Sequence, residues 1–265
     1  MIHAIIVLYN VCCADSVTCQ RLQKQSVGLL DIIVYDNSER DYGNRDFCMK
    51  HGWRYLGGAG NKGLSVAYNA VIDLVYRTDP NGYICLLDDD TALPDNYFAK
   101  LQTYVDVNPA VDIMLPILVQ HEKIISPCRE HARQRYFSSE SECLQEQPQN
   151  LLAFNSGMTI KLEVYENYRY DERIFLDGLD HAFMRDMKAR KKQIAVVPIQ
   201  CEHRFSGGQK GNVESAIFRF GIYVKDSRVL YEKQPIQYWY MVGKRALHLS
   251  VMYKKIRFIQ MLFAE

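Results

Sequence analysis

Three short apolar runs, each rich in β-branched residues and each ending in polar ones, constrain this chain most. They are HAIIVLYN (3–10), LDIIVYDNS (30–38) and GYICLLDDD (82–90). A fourth run, VDIMLPI (111–117), has the same character. Nearly continuous apolar strands of this length are those of a parallel sheet covered on both faces. Helical patterns separate them. Asp15 is placed to cap SVTCQRLQKQ (16–25), and Asn61 to cap KGLSVAYNAVIDLVYR (62–77). In the latter, Leu64, Ala67, Tyr68, Val71, Ile72 and Val75 recur at helical spacing. PDNYFAKLQTYV (94–105) puts Phe98, Leu101 and Val105 on one face, with Pro109 beyond its end. Strand and helix in alternation predict an α/β sheet.

Ligands of such sheets sit beyond the carboxyl ends of the strands. There the chain collects its polar residues: Tyr9 and Asn10 after the first run, Asp36, Asn37 and Ser38 after the second, and Asp88, Asp89 and Asp90 after the third. Each group alone is ordinary turn chemistry. Together, on one sheet edge, they predict a polar ligand lying across it. Three consecutive carboxylates repel one another, and a solvated turn needs only one. The alternatives are an acidic turn that closes a strand, or a turn that awaits a metal ion or another cation.

Composition narrows the function classes. Of 265 residues, 32 are basic and 31 acidic, for a net charge of +1. With no basic tract or RNA-recognition signature, this predicts no nucleic-acid partner. No apolar run approaches the roughly 18 to 20 residues of a membrane span. The opening MIHAIIVLYNV has neither basic leader nor small-residue cleavage site, so it reads as a strand rather than a secretory signal. Eight cysteines include no C-x-x-C pair, which argues against a four-cysteine zinc site and for reduced thiols in a cytosolic protein. Cys85, within an apolar run, reads as a small core residue.

Two motifs compete for the chemistry. Gly58, Gly60 and Gly63 spell G-x-G-x-x-G before a helix, the pattern of a dinucleotide-binding turn. The preceding WRYL (53–56) is short and poorly apolar for the strong first strand that such a turn follows. Asp88 and Asp90 also fit the D-x-D of an aspartate-nucleophile phosphatase, but Ala92 stands where Thr or Val is expected. Residues 122–150 are polar and aperiodic, and read as a loop or insertion without assigned chemistry. LLAFNSGMTI (151–160) resumes strand character, broken at Asn155, Ser156 and Gly157, where a plain strand bulge is one reading.

The succession IIVLYN, IIVYDNS, GNKGLSVAYN, LLDDDT, FNSGM, FLDGLD and HRFSGG resembles the inverting glycosyltransferases of family 2 from Ile2 to Gly208. It looks most like their rhamnosyltransferase and galactofuranosyltransferase branch. The resemblance implies a GT-A fold, a UDP- or dTDP-linked sugar donor, and Mg2+ or Mn2+ as cofactor. It implies a glycan acceptor on a polyprenyl diphosphate, as in bacterial O-antigen or capsule synthesis. Asp88 and Asp90 match the ends of the family's D-x-D. Asp90 is then the direct metal ligand, with the late histidine, His203, as a second. Asp88 is a metal or ribose partner, and Asp89 shares the ribose reading. Tyr9 would pack on the base and Asp36 accept from its ring N–H. Asn61 and Lys62 would open a helix toward phosphate, while Asn69 either holds a loop or touches the ligand. Asn155, Ser156 and Gly157 resemble the small-residue loop under the acceptor.

Transfer needs a base for the acceptor hydroxyl. The family's helix-opening aspartate falls on Asp180, with Asp177 as second choice; both could instead simply start the helix. The chain departs from the pattern at Ala182, where an acid is usual. Arg185 also falls one place early, and Asp186 takes its slot. Asp177 and Asp180 lie on adjacent turns, unlike a hydrolase's opposed pair. A non-catalytic nucleotide-sugar-binding subunit is the remaining alternative.

The expected organisation is a catalytic domain over 1–211 and a helical extension over 212–265. In the tail, Val242, Ala246, Leu249, Tyr253 and Ile256 share a face, with Lys244, His248 and Lys255 opposite. This predicts a packed helix or one lying on an anionic membrane, which would make a cytoplasmic protein peripheral to the inner face of the plasma membrane.

Overall fold

Residues 1–25, 30–58, 60–130, 135–203 and 212–263 are described by a computed structural model. The apolar runs form β1 (Ile2–Leu8), β2 (Leu30–Asp36), β4 (Tyr83–Leu87) and β6 (Ile113–Gln120). β3 (Arg54–Gly57) is the short edge strand beside β2. β5 (Thr91–Ala92), β7 (Lys123–Ser126), β11 (Thr159–Lys161) and β12 (Ile194–His203) complete the main sheet. Its order among the described residues is β3-β2-β1-β4-β11-β6-β12-β5, with β7 paired to β6. β3, β2, β1 and β4 run parallel, as do β6 and β12; β11, β5 and β7 run against their neighbours. The architecture is the mixed α/β sheet expected of the GT-A fold.

Side chains of a strand alternate between faces, and both faces of this sheet are apolar. Ile5, Ile33, Ile84, Leu86, Leu115 and Ile117 join one core. Ile6, Leu8, Val34, Cys85, Leu87 and Met114 join the other. The first face is covered by α3 (Leu64–Tyr76) and α6 (Leu179–Ala189). The second is covered by α1 (Val17–Leu22), α2 (Asn44–His51) and α4 (Tyr97–Val107). Both prolines inside strands, Pro116 and Pro198, fall where the β6–β12 register slips between Val196 and Gln200. A residue without an N–H donor belongs at such an irregularity.

Two helix starts differ from expectation. Ser16, not Asp15, caps α1 by accepting the amide of Cys19. Asn61 does not cap α3; its side chain accepts the amide of Gly63 in a local turn, and α3 begins one residue later. The segment 122–150 also departs from the aperiodic loop. It carries β7, β8 (Cys128–Arg129), β9 (Arg135–Tyr136) and α5 (Glu140–Leu144). β8 pairs with β9 and with β10 (Leu151–Leu152) in a second small sheet. Arg129 ties it together through Glu142, Glu146 and the ring of Phe137. Strands of two residues leave no periodicity to read.

Three further helices, α7 (Val213–Leu230), α8 (Pro235–Tyr253) and α9 (Arg257–Gln260), share a core of Phe220, Val224, Tyr238, Val242, Ala246, Phe258 and Leu262. The tail face drawn from sequence is therefore spent on internal packing. Ile256 alone leaves it and is exposed, because α8 stops at Tyr253 and Lys254 turns left-handed.

At the amino end of the sheet, His3 is buried with its ring nitrogens 2.7 Å from Asp31 and 3.2 Å from Asp79. Arg54 donates to Asp31 as well. Burial opposes ionisation of Asp31, but the hydrogen bond from His3 and the guanidinium of Arg54 outweigh it and hold the carboxyl below the ordinary 3.8. Its stabilisation is therefore complete above the unfolded value and lost as pH falls through the lower folded one. Asp31→Asn is expected to cost about 1–3 kcal/mol at pH 7 in urea unfolding. Wild type and variant should converge as pH drops below 3.8.

Candidate active site

The parallel register sets Leu8 beside Asp36 and Ile6 beside Leu87, so the polar residues after β1, β2 and β4 meet on one edge. The acidic turn there is tightly lashed. The hydroxyl of Ser16 donates to the carbonyl of Asp89, and that of Thr18 to the carbonyls of Asp88 and Thr91. Thr18 also accepts the amide of Thr91. From the other side, Ser156 accepts the amide of Asp88 and meets the Thr91 hydroxyl. Ser16, Thr18 and Thr91 were not recognised from sequence, and Ser156 was read as part of an acceptor loop rather than as a brace of this turn. Ser16 and Thr18 look like routine helix-start residues, and their partners lie about seventy residues away.

β5 and β12 bring in the histidine. His203 pairs across from Thr91 at the end of β12. Its Nδ1 lies 3.2 Å from the Thr91 hydroxyl and 3.4 Å from Asp90 Oδ1. Asp88, Asp90 and His203 each present a ligand atom, all within 4.8 Å of one another. Burial pushes the Asp88 carboxyl up to about 7, and the charges of Asp90, Asp89 and Asp180 add to it. Burial also lowers His203 against the pull of Asp90, which favours the neutral imidazole that ligates metal. Two hard carboxylates and one imidazole, brought together by the fold, fit a divalent ion such as Mg2+ or Mn2+. Asp89 lies beside this cluster but not in it, and burial first, then Asp90, raises its carboxyl.

A cavity of about 1080 Å³ opens between this edge and the C-terminal helices. Tyr9, Asn37, Asn61 and Asp88 line its sheet side. Asp36 does not line it. Its carboxylate is buried and accepts from the Ser38 amide, the Asn44 side chain and the Tyr55 hydroxyl. Lys62 is exposed and outside the lining. The first α3 amide, that of Leu64, already donates to the carbonyl of Phe175 at 2.7 Å. Gly63 has φ +90°, and a Cβ there would come 2.8 Å from the Phe175 ring. This helix start is closed by the chain's own backbone, which removes the dinucleotide reading of the glycine motif. Asn69 holds the loop at Tyr170 and Glu172 through its side-chain amide.

Ser156 braces the acidic turn and the Gly157 amide binds Leu86 in β4; none of Asn155, Ser156 and Gly157 lines the cavity. Gly157 has φ +79°, and a Cβ would lie 2.6 Å from Pro116 Cγ. Asn155 is buried, with its side-chain oxygen unpartnered among the described residues. The two helix-opening aspartates are separated by their partners. Asp177 lines the cavity but is gripped at both oxygens by Arg219. Asp180, in the first turn of α6, accepts only the neighbouring His181 amide among the described residues. It is partly exposed, stands off the cavity lining, and is near enough to raise Asp88. The Gly-rich stretch after His203 lies outside the described residues.

A residue with no sequence signal holds this loop. Asp226 on α7 is 1% exposed and accepts the successive amides of Phe175, Leu176 and Asp177 at 2.8, 2.8 and 2.7 Å. Leu230 of the same helix fills the space where Gly178 lacks a Cβ.

The model of the family described as Glycosyl transferase family 2 matches residues 4–168. The chain belongs to glycosyltransferase family 2. Asp177, Asp180 and His203 lie beyond the matched part. No curated protein sequence matches this family 2 chain. Residues 1–349 of Staphylococcus aureus TarS share its fold at 13% identity and a TM-score of 0.54, over 86% of this chain and 65% of that one. The mannosyltransferase PcManGT of Pyrobaculum calidifontis, in complex with GDP-Man and Mn2+, does so at 13% and 0.56, over 87% and 64%. Glucosyl-3-phosphoglycerate synthase of Mycobacterium tuberculosis, with Mg2+ and UDP, gives 12% and 0.55, over 85% and 77%. The chain thus spans less than two thirds of the TarS and PcManGT structures.

Removing the Asp226 carboxylate leaves three amides without their acceptor. Asp226→Ala is expected to cost about 2–5 kcal/mol in thermal or urea unfolding. Native-state hydrogen exchange should quicken at Phe175, Leu176 and Asp177, while the amides of β1 keep their protection relative to global stability.

Proposed function

We propose that this chain is an inverting glycosyltransferase that moves one sugar from a UDP- or dTDP-linked donor to a glycan hydroxyl. The observation that carries the reading is the Asp88–Asp90–His203 cluster at the ligand edge of a family 2 sheet. Support comes from structural relatives held with UDP-GlcNAc, with GDP-Man and Mn2+, and with UDP and Mg2+. Asp90 and His203, with Asp88, would hold the cation. When bound, it neutralises the charge that develops on the leaving diphosphate.

The chain's own groups do the rest. Tyr9 offers its ring to the base, and Asn37 on the cavity wall fixes the turn at Lys62 and Gly63 through both of its side-chain groups. Asp36 acts behind Asn37 by tying Ser38, Asn44 and Tyr55 together. Asp89 is assigned to the ribose. Asp180 takes the proton of the attacking hydroxyl, since it has no cationic partner among the described residues. Asp177 shapes the loop through Arg219. Single displacement with one base inverts the anomeric centre. The donor sugar is proposed to be a rhamnosyl or galactofuranosyl group, and the acceptor a glycan on polyprenyl diphosphate in surface polysaccharide synthesis.

No helix among the described residues is long and apolar enough to cross a membrane. We assign the chain to the cytoplasmic face of the membrane by a different stripe of α8 from the packed one. Ile236, Tyr240, Leu247 and Val251 recur at helical spacing and are 50–87% exposed. Lys254, Lys255 and Arg257 beside them match the charge of anionic lipid.

Three outcomes are expected. Asp90→Ala and His203→Ala should each abolish Mn2+-dependent transfer while the fold persists by circular dichroism; full activity in chelator would remove the metal. Asp180→Asn should keep donor binding by calorimetry and lose about 10² to 10⁴ in turnover. The same loss in Asp177→Asn, with Asp180→Asn near normal, would move the base by one turn; binding without any turnover would leave a non-catalytic subunit. Finally, the protein should float with anionic liposomes at low salt and release at high salt. The Ile236→Ser/Leu247→Ser/Val251→Ser variant should stay in solution, and equal flotation would exclude this stripe.

A further inference from the structure

The two walls of the cavity carry opposite charge. Asp88 stands on the sheet side; Arg219, Lys244, Arg245 and His248 stand on the helical side. Arg219 is already neutralised by Asp177. Among the described residues Lys244, Arg245 and His248 have no carboxylate within ion-pairing distance. Residues 244 and 248 are four apart on α8 and 245 and 248 three apart, so His248 neighbours both cations, and all three line the cavity. Arg245 is seated on the ring of Tyr223 at 4.2 Å, which orients its fork, and Lys244 lies 6.0 Å from the ring of Tyr240. Sequence placed Lys244 and His248 on a solvated or lipid-facing stripe; both are exposed, and both stand on the wall of the open cavity.

The proposed reaction leaves this cluster unused. The donor's leaving group is served by the cation site on the opposite wall. A neutral sugar gains nothing from two fixed cations and an imidazole facing it. A phosphate group matches them well, because Arg binds its oxygens in pairs and Lys adds a mobile donor. We propose that Lys244, Arg245 and His248 form a second anion subsite that takes the phosphate or diphosphate group of the acceptor. This rests on the glycosyltransferase reading and its diphosphate-borne acceptor, and adds to it the side chains that would hold that group. The subsite sits on the same helix as the exposed apolar stripe, so a lipid-borne diphosphate would meet it from the membrane side.

Inorganic pyrophosphate is the probe. Calorimetry on the full chain, at low salt and with EDTA present, reads the helical wall without the metal cluster. The wild type should bind. Lys244→Ala/Arg245→Ala should weaken binding by about tenfold or more, Arg245→Lys should fall between, and Asp90→Ala should match the wild type. Glucuronate, a carboxylate probe, should bind more weakly than pyrophosphate. In a second titration with Mn2+ and saturating UDP or dTDP, pyrophosphate should still bind. No binding in EDTA, equal binding by the double variant, or equal affinity for glucuronate would overturn the proposal. Displacement of pyrophosphate by nucleotide with Mn2+ would assign the wall to the donor and overturn it too. Failure of the donor reading is separate: nucleotide would not bind with Mn2+, while the pyrophosphate titration would be unchanged.

Discussion

Like charge held at short range is the constraint that organises this molecule. Two carboxylates within 4.8 Å of each other, both ionised, would repel by at least about 3.5 kcal/mol at an effective dielectric of 20. Left free, the turn after β4 would splay them into water. Ser16, Thr18 and Ser156 prevent this by binding the backbone of the turn rather than its side chains. Burial, and after it the charges of Asp90, Asp89 and Asp180, push the Asp88 carboxyl up to about 7. The cost of crowding is thus stored in the protein, and a divalent cation is the species that relieves it.

A second theme is that the C-terminal helices are not an appendage in the functional sense. They keep a separate apolar core, yet α7 reaches the loop before α6 three times: by Arg219 on Asp177, by Asp226 on three amides, and by Leu230 against Gly178. α8 then supplies the cationic wall of the cavity. The sheet provides the metal-binding edge and the helices enclose it. Neither part alone would make a cavity with two walls of opposite charge.

Much of this was legible from residues alone. β-branched runs identify strands because a doubly covered sheet admits little else, and their polar ends had to share an edge once the strands ran parallel. Asp88, Asp90 and His203 were singled out by the family resemblance, and the fold brings the three together. Other features were out of reach for physical reasons. Asp36 and Asn37 are adjacent, and only the backbone decides which side chain faces the cavity and which turns inward. Asp226 is one acid among many on an amphipathic helix; its meaning lies in amides fifty residues earlier. The two-residue strands in 122–150 are too short for a period. The apolar face of α8 was read correctly at Val242 and Ala246, but a face does not say whether it will meet lipid or its own chain.

The Asp226 clamp carries a consequence for how the protein is made. Domains fold as they emerge from the ribosome, amino end first, at about 5–20 residues per second. Every strand of the main sheet precedes residue 204, so the sheet and its acidic turn can assemble early. The loop that carries Asp177 and leads to Asp180 cannot be seated until α7 has been translated and docked. Nascent chains can therefore gather Asp88, Asp90 and His203 before they own an ordered loop beside them, and that loop is fastened only when the last quarter of the chain is made.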